Sequence, residues 1–248
     1  MSVSVRRTEG FAVVTLASGK VNLLDLELLQ ALNDTLAGVA DARGIVLTGN
    51  GRCFSAGVDL QRILDEGAAY TAALVRALSD TLLNLFTQPR PVVAAIDGHA
   101  IAGGALLALA CDYRVMAAGR LGVPELAVGV PLPTVALEIL RHTAGSAFRP
   151  TVLRSSSMSV EEAVAVGLID ESVSPDELME TAMARVMSLA SIPARTFELT
   201  KRQIHAPALE RIARDSPLVD AEVVETWCSG VVVQAIRSYV NALATRAR

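Results

Sequence analysis

The chain has 248 residues, of which 52% are hydrophobic and 19% are charged, and its net charge is −4. This length and composition fit one large domain, or a core plus a short appendage, with a substantial buried core, and they argue against a disordered protein. The basic residues are scattered, and only Lys20 and Lys201 are lysines. A nucleic-acid binder needs a positively charged stripe, so we expect no nucleic-acid partner.

The cysteines and the apolar segments indicate the compartment. Cys53, Cys111 and Cys228 are far apart and odd in number, which argues against a disulfide framework and against a metal site of paired cysteines. The N-terminus has no apolar stretch behind a charged start, so no signal peptide is predicted. The longest apolar run, 101–111, is too short to span a bilayer. We therefore expect a cytoplasmic protein with no membrane partner and no metal.

Short apolar strands alternate with helices through the first part of the chain. Four segments share a β-branched, apolar composition that is typical of buried strands: 11–16, 45–48, 91–96 and 113–116. Leucines recur at helical spacing from position 24 to 32, and amphipathic or apolar helical patterns cover 68–86 and 103–110. This alternation predicts an α/β fold with mostly buried parallel strands.

From Val135 onward the pattern becomes helical. Ser159 and Glu162 form a capping box that opens a helix ending near Gly167. Pro175 and Pro193 open two further helices, since proline is tolerated in the first turn. The sequence thus predicts a strand-and-helix core over residues 1–190 and a helical region over residues 191–248.

Two glycine-containing turns, 53–60 and 97–104, follow predicted strands. Each places small residues where a ligand could approach the main chain. The N–H groups that open a helix are unpaired, and two of them aimed at one point form an oxyanion hole. A Gly-Gly pair before a helix is at least as often a packing device, so spacing alone leaves both roles open. Neither turn contains the dinucleotide fingerprint or the Walker phosphate loop.

Several motifs occur together and in order along the chain. They are FSAGVDL at 54–60, AGG at 102–104, CDYR at 111–114, PE at 124–125 and GLID at 167–170. In order and spacing they resemble the enoyl-CoA hydratase/isomerase (crotonase) family, and the resemblance covers nearly the whole chain. It implies an α/β fold built as a spiral of ββα units. It also implies that the C-terminal helical region covers an acyl pocket and mediates trimerisation.

The resemblance implies an acyl-CoA thioester as the substrate, with coenzyme A as part of it and no further cofactor. The backbone N–H groups of Val58 and Gly103 would be the oxyanion donors, and Glu125 would be the catalytic base. Trp227 and Tyr239 are interpreted as packing or subunit contacts. For Asp59 a role in bracing its turn ranks ahead of a role as a ligand. Leu23, Ala56 and Leu60 would line the path of the coenzyme A adenine and pantetheine. The further residues expected to line the substrate are Asp59, His99 and Leu106.

The reaction type depends on which acids accompany Glu125. Hydratases of the family resemble one another in a second glutamate at the position of Leu106, and dienoyl-CoA isomerases have an additional acid at the position of Pro133. A leucine can neither orient nor deprotonate water. The resemblance therefore favours a 3-enoyl-CoA isomerase with one glutamate as proton shuttle. The alternatives are a hydratase or other lyase with a substitute acid such as Glu138, and a non-catalytic acyl-CoA-binding protein. The expected assembly is a homotrimer or a dimer of trimers.

Overall fold

The computed structural model describes residues 2–246, which form strands and helices in alternation. The strands are β1 (Val3–Thr8), β2 (Phe11–Leu16), β3 (Ile45–Thr48), β4 (Cys53–Ser55), β5 (Val92–Ile96), β6 (His99–Ile101), β7 (Tyr113–Met116), β8 (Leu121–Gly122), β9 (Ser157–Met158) and β10 (Glu171–Ser172). The helices are α1 (Leu26–Gly38), α2 (Leu60–Glu66), α3 (Ala68–Phe86), α4 (Gly103–Leu109), α5 (Glu125–Val128), α6 (Thr134–Ala144), α7 (Phe148–Arg154), α8 (Val160–Ala165), α9 (Leu178–Leu189), α10 (Ala194–Trp227) and α11 (Gly230–Arg246).

The strands form two sheets, and from β3 to β8 successive strands of the chain go to different sheets. The larger sheet has the order β1-β2-β3-β5-β7-β10, and the smaller has the order β4-β6-β8-β9. The pairs β1–β2 and β8–β9 are antiparallel, and the other pairs are parallel. The chain passes from β3 to β4, from β5 to β6 and from β7 to β8 before each helical segment. The predicted spiral of ββα units is confirmed.

Helices cover both faces of the larger sheet, which explains why its central strands are apolar without alternation. Side chains of β2, β3, β5 and β7 on one face pack against Leu178, Ala182 and Val186 of α9. The other face belongs to the main core with α1, α3, α4 and α6. The helix predicted over 68–86 is found with those bounds as α3. The capping box is also present, since Ser159 Oγ accepts from Glu162 N at 3.2 Å.

Some elements differ from the prediction. The sequence pattern predicts no element over residues 3–8, yet β1 forms a hairpin with β2 through Glu9 and Gly10, both with positive φ, as a tight two-residue turn requires. The smaller sheet was not predicted, because strands of two or three residues are too short to show a hydrophobic period. Helix α9 begins at Leu178, three residues after Pro175.

The C-terminal region consists of α10 and α11. Helix α10 is anchored to the core where Lys201 Nζ lies 2.9 Å from Asp112 Oδ1 and where the ring of His205 stacks on that of Phe86. The valines of this region divide between two environments, since Val223 and Val232 are buried whereas Val231 is 82% exposed. No helix within residues 2–246 is long and apolar enough to cross a membrane.

Candidate active site

The loop after β4 is fixed by buried polar contacts to the segment before α1. Asn22 is fully buried, and its side-chain amide donates to the carbonyls of Cys53 at 2.9 Å and Phe54 at 3.1 Å. Ser55 Oγ donates to Asn22 O at 2.7 Å and accepts from Gly57 N at 3.2 Å. No local sequence pattern predicts this role of Asn22 in the loop. These bonds position the main chain just ahead of Val58.

Val58 lies in a short parallel bridge to Leu24. Leu24 N donates to Gly57 O at 2.9 Å, and Asp59 N donates to Leu24 O at 3.0 Å. Because the groups flanking Val58 bond to Leu24, the N–H of Val58 itself points to the opposite side. The Asp59 carboxylate accepts from Arg62 N at 3.1 Å and caps α2. Asp59 therefore braces the turn.

The second glycine turn approaches the first at van der Waals distance. Gly57 has φ +88°, and a methyl group added to it would lie 2.8 Å from Ala102 Cβ and 3.4 Å from Gly103 N. Ala102 has φ 53°, a strained conformation for a residue with a side chain, and it opens α4. Within residues 2–246, neither Val58 N nor Gly103 N donates to another protein group. Two free N–H donors are thus brought together.

Glu125 is the first residue of α5 and is only 6% exposed. Its backbone carbonyl accepts from both Gly129 N and Val130 N at 3.0 Å, which closes a tight turn around it. Its carboxylate atom Oε2 is buried and has no hydrogen-bond partner in the described part of the chain. Burial without a compensating charge raises the pKa of Glu125 from its ordinary value of 4.5 to about 8.

Glu125 and the two free donors share one cavity of about 60 Å³. Glu125 is the only carboxylate among the residues that line it within the described chain. Six residues predicted for the site meet there: Ala56, Val58, Leu60, Gly103, Leu106 and Glu125. The other lining residues are small or apolar apart from one tyrosine: Leu78, Ile101, Ala102, Pro124, Val128, Val130, Pro131, Leu132, Pro133, Trp227 and Tyr239.

Three residues predicted to line the substrate lie outside this cavity. His99 is exposed in β6, where its backbone carbonyl accepts from Cys53 Sγ at 3.2 Å. Asp59 is occupied as the cap of α2. Leu23 is half-buried, next to the bridge at Leu24. Their expected contacts with the substrate, including the coenzyme A path for Leu23, stay predictions.

Trp227 and Tyr239 lie in the cavity wall, whereas the sequence analysis assigned them to packing or subunit contacts. Trp227 is buried, and its Nε1–H donates to Pro131 O at 2.8 Å. Helices α10 and α11 bring these residues to the cavity from about 100 positions further along the chain, and no local pattern predicts such a contact. The one available signal was that Trp227 is the only tryptophan.

Glu138 was considered as a substitute acid, and its position argues against that role. It is 3% exposed in α6, pairs with Arg141 at 3.0 Å and also with Arg211, and does not line the cavity. Both carboxylate oxygens are therefore held by guanidinium groups away from Glu125.

Comparison with known proteins identifies the family. Residues 6–229 match the sequence profile of the enoyl-CoA hydratase/isomerase family. The chain belongs to this family. This enoyl-CoA hydratase/isomerase family member is 35% identical over 221 residues to a putative enoyl-CoA hydratase of Thermus thermophilus, covering 86% of each chain. It is 30% identical over 242 residues to human mitochondrial enoyl-CoA delta isomerase 1, covering 94% of this chain and 80% of the human protein.

Solved structures of the enoyl-CoA hydratase/isomerase family have the same fold. Human mitochondrial delta3-delta2-enoyl-CoA isomerase superposes with a TM-score of 0.94 at 26% identity and covers 99% of both chains. A probable enoyl-CoA hydratase of Mycobacterium tuberculosis gives a TM-score of 0.84 at 33% identity, covering 90% of this chain and 96% of that one. Relatives named for hydration and for isomerisation match at similar identity, so the reaction type has to be inferred from the site.

The raised pKa of Glu125 predicts a pH-dependent stability. Between about pH 4.5 and 8 the folded state keeps the proton that the unfolded state releases, so stability falls as the pH rises through this window. Glu125→Gln removes this loss. We expect the variant to be more stable than wild type at pH 8, by an amount on the order of 3–5 kcal/mol. Urea unfolding at pH 5 to 9 measures the difference, with Glu225→Gln on the exposed face of α10 as the control. A difference that does not change with pH would contradict the burial argument.

Proposed function

We propose that this protein isomerises 3-enoyl-CoA thioesters to trans-2-enoyl-CoA, with Glu125 as the single acid/base. The observation that carries the proposal is Leu106, which is 1% exposed and lines the cavity together with Glu125. By the family resemblance, hydratases carry a second glutamate at this position. An apolar side chain there supports a proton shuttle, because water would quench the intermediate.

The cavity supports an enolate mechanism. Removal of the C2 proton of a 3-enoyl thioester leaves a dienolate, with negative charge on the thioester oxygen. The free N–H groups of Val58 and Gly103 would donate to that oxygen, and one such donor typically lowers the barrier by about 2.7–4 kcal/mol. Glu125 would take the C2 proton and return it to C4, which moves the double bond into conjugation. A carboxyl pKa of about 8 suits both steps near neutral pH.

Hydration and simple binding are less well supported. Hydration needs a second group to orient water, and the position where hydratases of the family carry it is the apolar Leu106. Glu138 is engaged by two arginines outside the cavity. A protein that only bound acyl-CoA would gain nothing from an unpaired buried carboxyl group, which is costly to maintain.

The proposal is tested by offering 3-hexenoyl-CoA and trans-2-hexenoyl-CoA side by side and identifying the products. We expect conversion of the first to trans-2-hexenoyl-CoA and little 3-hydroxyhexanoyl-CoA from the second. Faster hydration than isomerisation would make the protein a hydratase. Binding of both substrates without turnover would make it an acyl-CoA-binding protein.

A matched pair of substitutions at position 106 asks whether this side chain sets the reaction. Leu106→Glu should raise hydration of trans-2-enoyl-CoA and lower isomerisation, because the added carboxylate can orient water beside Glu125. Leu106→Met keeps the volume and the apolar character, so it should leave the product ratio unchanged. Product analysis on folded variants measures the ratio. The same ratio in both variants would mean that another feature sets the reaction.

We also propose that the protein assembles as a homotrimer or a dimer of trimers. The C-terminal helices expose large apolar side chains at Leu218, Val219, Val231 and Leu243, which favours a covered surface. Multi-angle light scattering should give three or six times the chain mass of 26.1 kDa. A monomer at micromolar concentration would contradict this assignment.

A further inference from the structure

The size of the cavity limits the acyl chain that the proposed isomerase can accept. About 60 Å³ is shared by the free donors, Glu125 and the apolar wall. The reacting part of the substrate, the thioester carbonyl and carbons C2 to C4, would occupy this space. A longer acyl chain must then pass the residues of the wall.

Trp227 is the largest side chain in that wall, and it is held in place. It is 4% exposed, and its Nε1–H donates to Pro131 O at 2.8 Å. Turning the indole away would break this bond and disturb a packed core, so Trp227 does not simply swing aside. Tyr239, the other aromatic residue of the wall, is partly exposed and therefore lies closer to solvent.

A second contact fixes segment 131–134 to helix α10. Asp220 Oδ1 accepts from Thr134 N at 2.9 Å and from Thr134 Oγ1 at 2.7 Å. Asp220 and Trp227 are seven residues apart on α10, which places them on one face of the helix. Helix α10 is thus hydrogen-bonded to segment 131–134 at two positions that lie two turns apart. These two contacts hold Trp227 against the cavity.

We propose that Trp227 limits the acyl chain length and gives this protein a preference for short-chain acyl-CoA thioesters. This inference rests on the proposed function, because it takes the cavity to hold the acyl chain. It does not depend on which reaction occurs there. Affinity for saturated acyl-CoA, which cannot be isomerised or hydrated, therefore tests it separately.

The experiment measures the binding of butanoyl-, hexanoyl- and decanoyl-CoA by isothermal titration calorimetry. Wild type should bind hexanoyl-CoA at least about tenfold more tightly than decanoyl-CoA. Trp227→Leu should recover about tenfold in decanoyl-CoA affinity with little change for butanoyl-CoA. Trp227→Phe keeps an aromatic ring but lacks the N–H donor, so it should stay close to wild type in chain preference. Glu225→Gln, on the exposed face of α10, is the control for changes to the helix alone.

The possible results distinguish the chain-length inference from the proposed function. Equal affinity of wild type for all three ligands, or a Trp227→Leu variant that still rejects decanoyl-CoA, would overturn the chain-length inference and leave the proposed function standing. Failure to bind any acyl-CoA would overturn both. If Trp227→Leu does not fold, the affinities of wild type and Trp227→Phe for the three ligands still test the chain-length inference. Wild type itself must already prefer the short chains.

Discussion

Replacement of Glu125 by glutamine is expected to lower kcat for 3-enoyl-CoA isomerisation by about 10²–10⁴. The amide keeps the shape of the side chain but cannot accept the C2 proton. The cavity offers no other carboxylate within the described residues, so no neighbour can take over the role. Acyl-CoA affinity should change little, since binding would depend on the donors Val58 and Gly103 and on the apolar wall. The expected signature is a loss in kcat with a nearly constant Kd.

Steady-state kinetics and calorimetry on the same preparations measure both quantities. Glu225→Gln makes the same chemical change on the exposed surface of α10 and should retain wild-type kcat and Kd. A Glu125→Gln variant that keeps more than about a tenth of the wild-type rate would show that another group moves the proton. The single-glutamate mechanism would then have to be abandoned.

Replacement of Gly57 by alanine should lower kcat by about 10²–10³, the range seen when one oxyanion donor is lost. The added methyl group would lie 2.8 Å from Ala102 Cβ and 3.0 Å from Ile101 O. The two turns must then move apart, which misaligns Val58 N–H relative to Gly103 N–H. The φ of +88° adds backbone strain that alanine tolerates poorly.

Gly67 offers a matched control for the strain alone. It has φ +79°, yet a methyl group there would meet nothing within 4 Å. Gly67→Ala should therefore lose stability, as judged by thermal melting, but keep its kcat at temperatures where it is folded. Equal kcat losses in the two variants would indicate that strain, and not the contact between the turns, causes the defect.

The larger sheet and α3 could be predicted because their signals are local. Buried parallel strands show continuous β-branched runs, and residues 68–86 carry a helical period bounded by Pro89. The pairing of the two glycine turns could be expected only through the family resemblance. Their contact at Gly57 and Ala102 depends on positive φ angles at both residues, and no sequence pattern indicates the strained alanine.

The wall of the cavity could not be predicted for a different reason. Trp227 and Tyr239 reach it through the packing of α10 and α11, and the long α10 contains Pro207 and Pro217, which a local analysis interprets as helix ends. His99 adjoins the motif in sequence, yet it is exposed on β6 and does not line the cavity. Residues far from Glu125 in the sequence can therefore line the cavity, and residues next to the motif can lie outside it.

The use of main-chain donors affects how this protein can evolve. An N–H group is present whichever non-proline codon occupies position 58, so drift in the Val58 side chain leaves the proposed oxyanion contacts intact. In the proposed mechanism the chemical outcome depends instead on separate side chains on α4 and α5, at Leu106 and Glu125. Substitutions at those positions would then change the reaction without removing the main-chain donors. The main-chain donors would then stay constant, whereas a small set of side chains around them would be free to vary.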